Sequence, residues 1–313
     1  MNPLPTQGKQ GGPPRVACLG ECMIELRTRA DGLIIRGFGG DTLNTAVYLA
    51  RLGVPTDYVT ALGQDGFSAE MLEAWRAEGV GTEFVPRLAG RSPGLYMIET
   101  DPQGERRFHY WRDQAPVRDL LNLPQWPDLA ARIIAAVDVL YLSGITLSLY
   151  RGGALPRLLD FLRAFSAQGG AVVFDTNFRP RGWPDPAEAG RVFAEGIALS
   201  ALTLAGAEDL APIWGEAEPE ALAARLEKLT PEAVLKFARP GCLTLAEGRR
   251  TEIPALKVGK VVDTTAAGDS FAAGYLAARL QGEPPEAAAR AGHLLAAEVV
   301  RHPGAIIPRA AMP

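Results

Sequence analysis

Short apolar runs recur along the chain with helix-like stretches between them. From Arg15, the run Val-Ala-Cys-Leu-Gly leads into Cys-Met-Ile-Glu-Leu, which predicts a core strand that continues into an edge or projecting one. Residues 41–52 carry apolar side chains at 43, 46, 47, 49, 50 and 52, the spacing of an amphipathic helix, and Gly53 closes it. The same alternation predicts strands at 58–62 and 137–142 and helices at 68–78 and 155–168, while 171–175, 202–204 and 233–236 add short, nearly continuous apolar runs. Strands that are apolar on both faces and spaced by helices imply a mostly parallel sheet covered on both sides, an α/β fold. Ala-rich helices at 267–281 and 285–301, separated by Gly282 and Pro284, end the domain.

Three stretches stand outside this rhythm. Residues 33–38 are strand-like, and 94–112 read as a hairpin with strands at 95–100 and 106–111 around Asp101-Pro102-Gln103-Gly104. Pro in the second and Gly in the fourth turn position suit a type I turn. Together these pieces predict a small β-sheet beside the main one, a lid drawn from about 21–38 and 92–113. Residues 257–262 read as a further β-rich stretch ahead of the helix at 267. No repeat or linker interrupts 15–313, so one domain is expected there. Residues 1–14, rich in Gly, Pro and polar groups, are expected to form a disordered tail.

Composition narrows the class. With 47% hydrophobic and 22% charged residues the chain suits a soluble globular protein. A net charge of -4, with no Lys/Arg stripe, argues against nucleic acid as a partner. No apolar run approaches the ~18 residues of a membrane span, and no apolar leader core precedes residue 15, so a cytoplasmic location is expected. Cys18, Cys22 and Cys242 form no CxxC pair, and the histidines lie apart at 109, 293 and 302. No zinc site is expected, and the thiols should be buried.

The candidate chemistry lies in Asp263-Thr264-Thr265-Ala266-Ala267-Gly268-Asp269, at the start of a predicted helix. Small residues at 266, 267 and 268 let backbone N–H groups at a helix N-terminus approach an anion, where the dipole favours negative charge. Asp269, in the first turn, could take a proton from an attacking hydroxyl. Asp263 or Asp269 could equally serve as a helix cap. The segment is neither a GxxxxGK[ST] loop nor a GxGxxG fingerprint.

With Gly39-Gly40-Asp41-Thr42-Leu43-Asn44 near the start and Asp263 to Asp269 near the end, the chain resembles the ribokinase-like (PfkB) carbohydrate kinases. Within them it is most similar to the sugar-acid kinases, through residues 20–26, 38–44, 108–112, 174–181 and 304–312. The resemblance implies a ribokinase-like three-layer α/β/α sandwich with a mostly parallel central sheet and a small β-sheet lid. It implies Asp269 as catalytic base, the amides of Ala266, Ala267, Gly268 and Asp269 as an anion hole, and Gly39, Gly40, Asp41 and Asn44 as sugar contacts. Tyr96 and Tyr110 match positions where the family's tyrosines touch substrate. Arg112 and Arg179 are the candidates for a substrate carboxylate, which planar guanidinium groups bind in a two-pronged geometry. Arg181 and Trp183 are weaker candidates, and His109 should face away from Tyr110.

On the nucleotide side the resemblance implies ATP and Mg2+, with Glu208 positioning the metal through water, and Lys236, Gly241 and Gly268 near the nucleotide. The final helices would border the adenine. A monovalent cation such as K+ near Asp263 is known in relatives. The chain departs from the family where Ala266, Ala205 and Ala238 replace the usual Gly, Asn and Gly. The expected activity is ATP-dependent phosphorylation of a sugar acid on its terminal hydroxyl. The rivals are a kinase for a neutral ketose such as fructose and a non-catalytic sugar-sensing protein. Exposed lid strands offer edges that pair or get covered, so a homo-oligomer, a dimer or higher assembly through the lid, is expected.

Overall fold

The computed structural model describes residues 2–28, 31–100, 106–237 and 240–313. Among these, nine strands form one twisted sheet in the order Arg249–Pro254, Gly241–Ala246, Glu232–Lys236, Leu202–Gly206, Ala171–Asp175, Val139–Ser143, Val16–Leu19, Thr56–Val59 and Val80–Gly81. From Glu232–Lys236 to Val80–Gly81 every pairing is parallel, and the hairpin Gly241–Ala246 with Arg249–Pro254 adds an antiparallel edge.

Strand periodicity builds two cores from one sheet. Ala17, Leu19, Leu140, Leu142, Val172 and Phe174 point to one face, where the helices Trp126–Ala136, Leu155–Ala167, Pro186–Ala198 and Pro219–Leu229 cover them. Their neighbours Val16, Cys18, Val139, Tyr141, Ala171 and Val173 point to the other, under Asp41–Arg51, Gly66–Ala77, Ala267–Leu280 and Pro285–Val299. Adjacent residues on opposite faces and both buried are what a three-layer α/β/α sandwich requires. All three cysteines are buried.

The lid is a four-stranded sheet in the order Ile34–Gly39, Met23–Thr28, Leu95–Thr100, Arg106–Trp111. Tyr96 lies opposite Tyr110 across the hairpin and Ile98 opposite Phe108, so one face carries an aromatic stripe. The turn at 101–104 lies outside the described residues, as does Ala238. His109 is exposed beside Glu99, on the face away from Tyr110.

Several expectations are corrected. Residues 257–262 are not a strand: Pro254 ends the edge strand, Val261 and Val262 are exposed, and Val262 N–H donates instead to Val300 O at 2.8 Å. The stretch 58–62 divides into Thr56–Val59 in the main sheet and Leu62–Gly63 paired with Arg87–Leu88. The hairpin at 241–254 turns through Glu247 and Gly248, both at positive φ (52° and 71°). That geometry carries the twist of a tight hairpin. The segment ahead of Arg15, whose composition suggests a loose tail, lies against the domain: Lys9 and Arg15 N–H groups each donate to Asp138 at 2.8 Å. Lys9 Nζ also caps carbonyls of Ile134 and Val137 at the end of Trp126–Ala136.

Candidate active site

The strands of the main sheet run toward a shared C-terminal edge, where α/β sheets collect ligands. Ser143 ends one strand and Asp175 the next, and the first helix, Asp41–Arg51, and the late helix, Ala267–Leu280, begin at the same edge. Asn44 Nδ2 donates to Asp269 Oδ2 at 2.8 Å, joining the two segments of the sequence expected to carry substrate and chemistry. Asn44 Oδ1 is buried with no hydrogen-bond partner among the described residues.

Asp41 does not cap its helix; Gly40 stands at that place, and no side chain caps it. The Asp41 carboxylate instead accepts from Ser143 Oγ at 2.5 Å and from Asn177 Nδ2 at 2.8 Å. Gly39 and Gly40 are needed because neighbours press on them. A Cβ at Gly39 would lie 2.0 Å from Tyr96 Oη, and one at Gly40 2.3 Å from Glu21 O. Glycine is the residue for such close approach.

Behind Asp269 runs a chain of polar groups. Thr45 Oγ1 donates to Asp269 O at 3.3 Å and lies 3.3 Å from Tyr141 Oη, which donates to Asp175 Oδ2 at 3.2 Å. Lys236 Nζ pairs with Asp175 Oδ1 at 3.3 Å and lies beside Gly268, 3.9 Å from where a Cβ would be. Burial, followed by the nearby charge of Asp41, lifts the Asp269 carboxyl to about 8; Asp175 adds to the rise, while Asn44 and Lys236 oppose it. As a residue Asp269 keeps partial solvent access, but its carboxyl group sits among these acids. Burial also raises Asp175, against the pull of Lys236.

At the start of the late helix, Ala266 adopts φ 61° and ψ 16°, left-handed for a residue with a Cβ. That conformation turns the chain sharply into the helix; the Ala267 N–H is held by Thr264 O at 3.2 Å, and Gly268 and Asp269 follow as first-turn amides at the helix end. Ahead of it, Asp263 accepts from Thr265 N–H and hydroxyl at 2.9 and 2.6 Å and from Gly304 N–H at 2.9 Å. Asp263 thus ties the loop to the turn that follows the helix Pro285–Val299 rather than capping the late helix.

Beneath the lid lies a cavity of about 580 Å³, lined by Gly40, Asp41, Tyr110, Arg112 and Arg179 among others. Tyr96 donates its hydroxyl to Glu25, and burial, followed by that carboxylate, raises the pKa of its phenol well above the usual tyrosine value. Arg112 forms an ion pair with Glu21, which is 3% exposed; burial raises the Glu21 carboxyl and Arg112 opposes it. Sequence reasoning gave no role to Glu21, Ser143 or Tyr141. Ser143 had a usable signal, a polar residue at the C-terminal end of an apolar strand. Glu208 is exposed in the first turn of Ala207–Trp214, and Gly241 opens its strand at φ 138°.

The layered fold with a β lid, and the site between lid and sheet edge, define a carbohydrate kinase. Residues 13–311 match the model of the pfkB family carbohydrate kinases, and the chain belongs to that family. It is 45% identical over 306 residues to 2-dehydro-3-deoxygluconokinase from Dickeya dadantii (strain 3937), covering 95% of this chain and 98% of the relative. It is 44% identical to the 2-dehydro-3-deoxygluconokinase of Escherichia coli (strain K12), covering 96% and 99%. A fructokinase with bound ATP from Xylella fastidiosa superposes with a TM-score of 0.80 at 22% identity, over 96% and 95% of the two chains, a likeness of fold.

Proposed function

We propose that this protein is an ATP-dependent kinase that phosphorylates the 6-hydroxyl of 2-keto-3-deoxygluconate (2-dehydro-3-deoxygluconate) to give 2-keto-3-deoxy-6-phosphogluconate. The observation that carries it is the meeting of Asn44 and Asp269, beside a lid cavity rich in arginine. The near-full-length similarity to 2-dehydro-3-deoxygluconokinases supports the substrate.

The division of labour follows from placement. Asp269 accepts the proton of the attacking hydroxyl, and its raised affinity for a proton suits a base working near neutrality. Asn44 Oδ1, buried and unpaired among the described residues, accepts from a sugar hydroxyl, and Asp41, fixed by Ser143 and Asn177, accepts from another. Gly39 and Gly40 bring backbone close to the sugar, while Tyr96 and Tyr110 wall it. Arg112 and Arg179 face its carboxylate. The amides of Ala266, Gly268 and Asp269, joined by that of Ala267 when it leaves Thr264 O, stabilise charge on the transferred phosphoryl. Lys236 adds a cation beside Gly268, and Gly241 lets the chain pass close to the nucleotide.

We place the adenine in the cavity of about 470 Å³ between residues 256–262 and the helix Pro285–Val299. Mg2+ neutralises the triphosphate. No cluster of three metal-binding side chains occurs among the described residues. That suits an ion held mainly by phosphate and water, with Glu208 acting through water. A K+ ion would sit by the Asp263 loop. Leu33, Ile34, Phe108 and Trp111, exposed on and beside the lid strands, support a dimer through the lid. Among the described residues no helix is long and apolar enough to cross a membrane, and we place the protein in the cytoplasm.

ADP release measured with 2-keto-3-deoxygluconate, its galactonate epimer and fructose tests the reading. The sugar acid should give the highest kcat/KM; preferred turnover of fructose would overturn it.

A further inference from the structure

Five arginines, at 112, 118, 151, 179 and 181, line the lid cavity, and their partners divide them. Arg112 is matched by buried Glu21, Arg118 lies 3.9 Å from Asp113, and Arg151 lies 3.8 Å from Glu188. Among the described residues, Arg179 and Arg181 have no carboxylate partner. Arg179 reaches only the carbonyl of Phe178, at 3.0 Å, and the Arg181 guanidinium sits over the Tyr110 ring, 5.3 Å from its centroid.

Arg181 is held in place by its own turn. Asn177, at φ 30°, begins the turn and is tied to Asp41. Gly182 is pressed on the helix Gly144–Leu149, where a Cβ would come within 2.9 Å of Ser148. Trp183, 2% exposed, packs edge-on against Phe193. Three anchors therefore fix the backbone around a side chain whose head is uncommitted in charge. Arg112 lies over the same Tyr110 ring, at 5.9 Å, so an aromatic ring of the lid lies within reach of one arginine of its own hairpin and one of the base. A guanidinium resting against an aromatic ring keeps its N–H fork free for a planar anion.

We infer that Arg181 is a specificity-determining residue: it joins Arg179 and Arg112 around the substrate carboxylate and adds there a guanidinium charge with no carboxylate partner among the described residues, where that of Arg112 is already matched by Glu21. The inference rests on the reading of the protein as a sugar-acid kinase. It sets the carboxylate next to Tyr110, within reach of arginines of both lid and base.

Calorimetric titration of 2-keto-3-deoxygluconate without nucleotide, together with steady-state kinetics, tests it on two variants of this exposed position. Arg181→Lys keeps charge and loses the planar fork; Arg181→Gln keeps a planar polar group and loses charge. The expected result is that Kd and KM for the sugar acid rise about tenfold or more in Arg181→Gln, less in Arg181→Lys, with kcat at saturation changed less than KM. Wild-type affinity in Arg181→Gln, equal losses in the two variants, or a fall in kcat with KM unchanged would overturn this role of Arg181. Wild-type protein that turns over no sugar acid would overturn the proposed function itself, and is seen without any variant.

Discussion

Asp269 combines a chemical demand with a thermodynamic cost. Its carboxyl, lifted to about 8 in the folded protein from 3.8, holds a proton that the unfolded chain has already released between those values. Because the folded state then binds more protons, stability falls as pH rises through that window. Asp269→Asn should therefore lower kcat by ~1,000-fold, and stabilise the protein by about 1–2 kcal/mol at pH 9, with less gain at pH 5. Urea unfolding at both values measures it. In the unmutated protein kcat/KM should climb toward a plateau with an apparent acidic limb near pH 8; a limb near pH 4 would remove the buried acid from the role of base. Ala266 carries a cost of another kind. Left-handed backbone strains any residue with a Cβ by roughly 1 kcal/mol, so Ala266→Gly should raise the urea midpoint by an equivalent of about 1 kcal/mol while kcat stays within about threefold.

Elements explain what could be read from the chain and what could not. The hairpin strands at 95–100 and 106–111 and the helix from Asp41 coincide with the structure, because alternation and 3.6-residue spacing are local signals. The stretch at 257–262 misled for the same reason: its residues are strand-like, but after Pro254 ends the edge strand its backbone turns to Val300 instead of joining the sheet. The contacts of Asp41 with Ser143 and Asn177, 102 and 136 positions away, have no local signature, so the sequence named Asp41 as a sugar contact without its partners. Glu21 lay inside a recognised stretch, yet its link to Arg112 joins the end of the first strand to the end of the lid hairpin, a meeting only tertiary structure discloses. Removing one partner of such a buried pair leaves the other uncompensated. Glu21→Gln should therefore cost about 2 kcal/mol by chemical denaturation and increase proteolysis within the hairpin before the rest of the domain.

At the scale of the molecule, the lid leaves Leu33 and Trp111 each 61% exposed and Ile34 56%. Ile34 and Trp111 lie on opposite edge strands of the lid but on one face of it, and exposed apolar side chains there mark a surface that finds a partner. Sedimentation should give about twice the 33.4 kDa chain mass, or a higher multiple, and Ile34→Lys with Trp111→Lys should shift it to the monomer; a monomeric wild type would refute assembly through the lid. The bond between Asn44 and Asp269 spans 225 positions. One partner of that bond is made early in synthesis and the other within the last 50 residues, with their meeting waiting on the whole intervening sheet. Loss of the last two helices would thus take away Asp269 and the cover of one face of the sheet together, so the reaction and that half of the core depend on the same late stretch of chain.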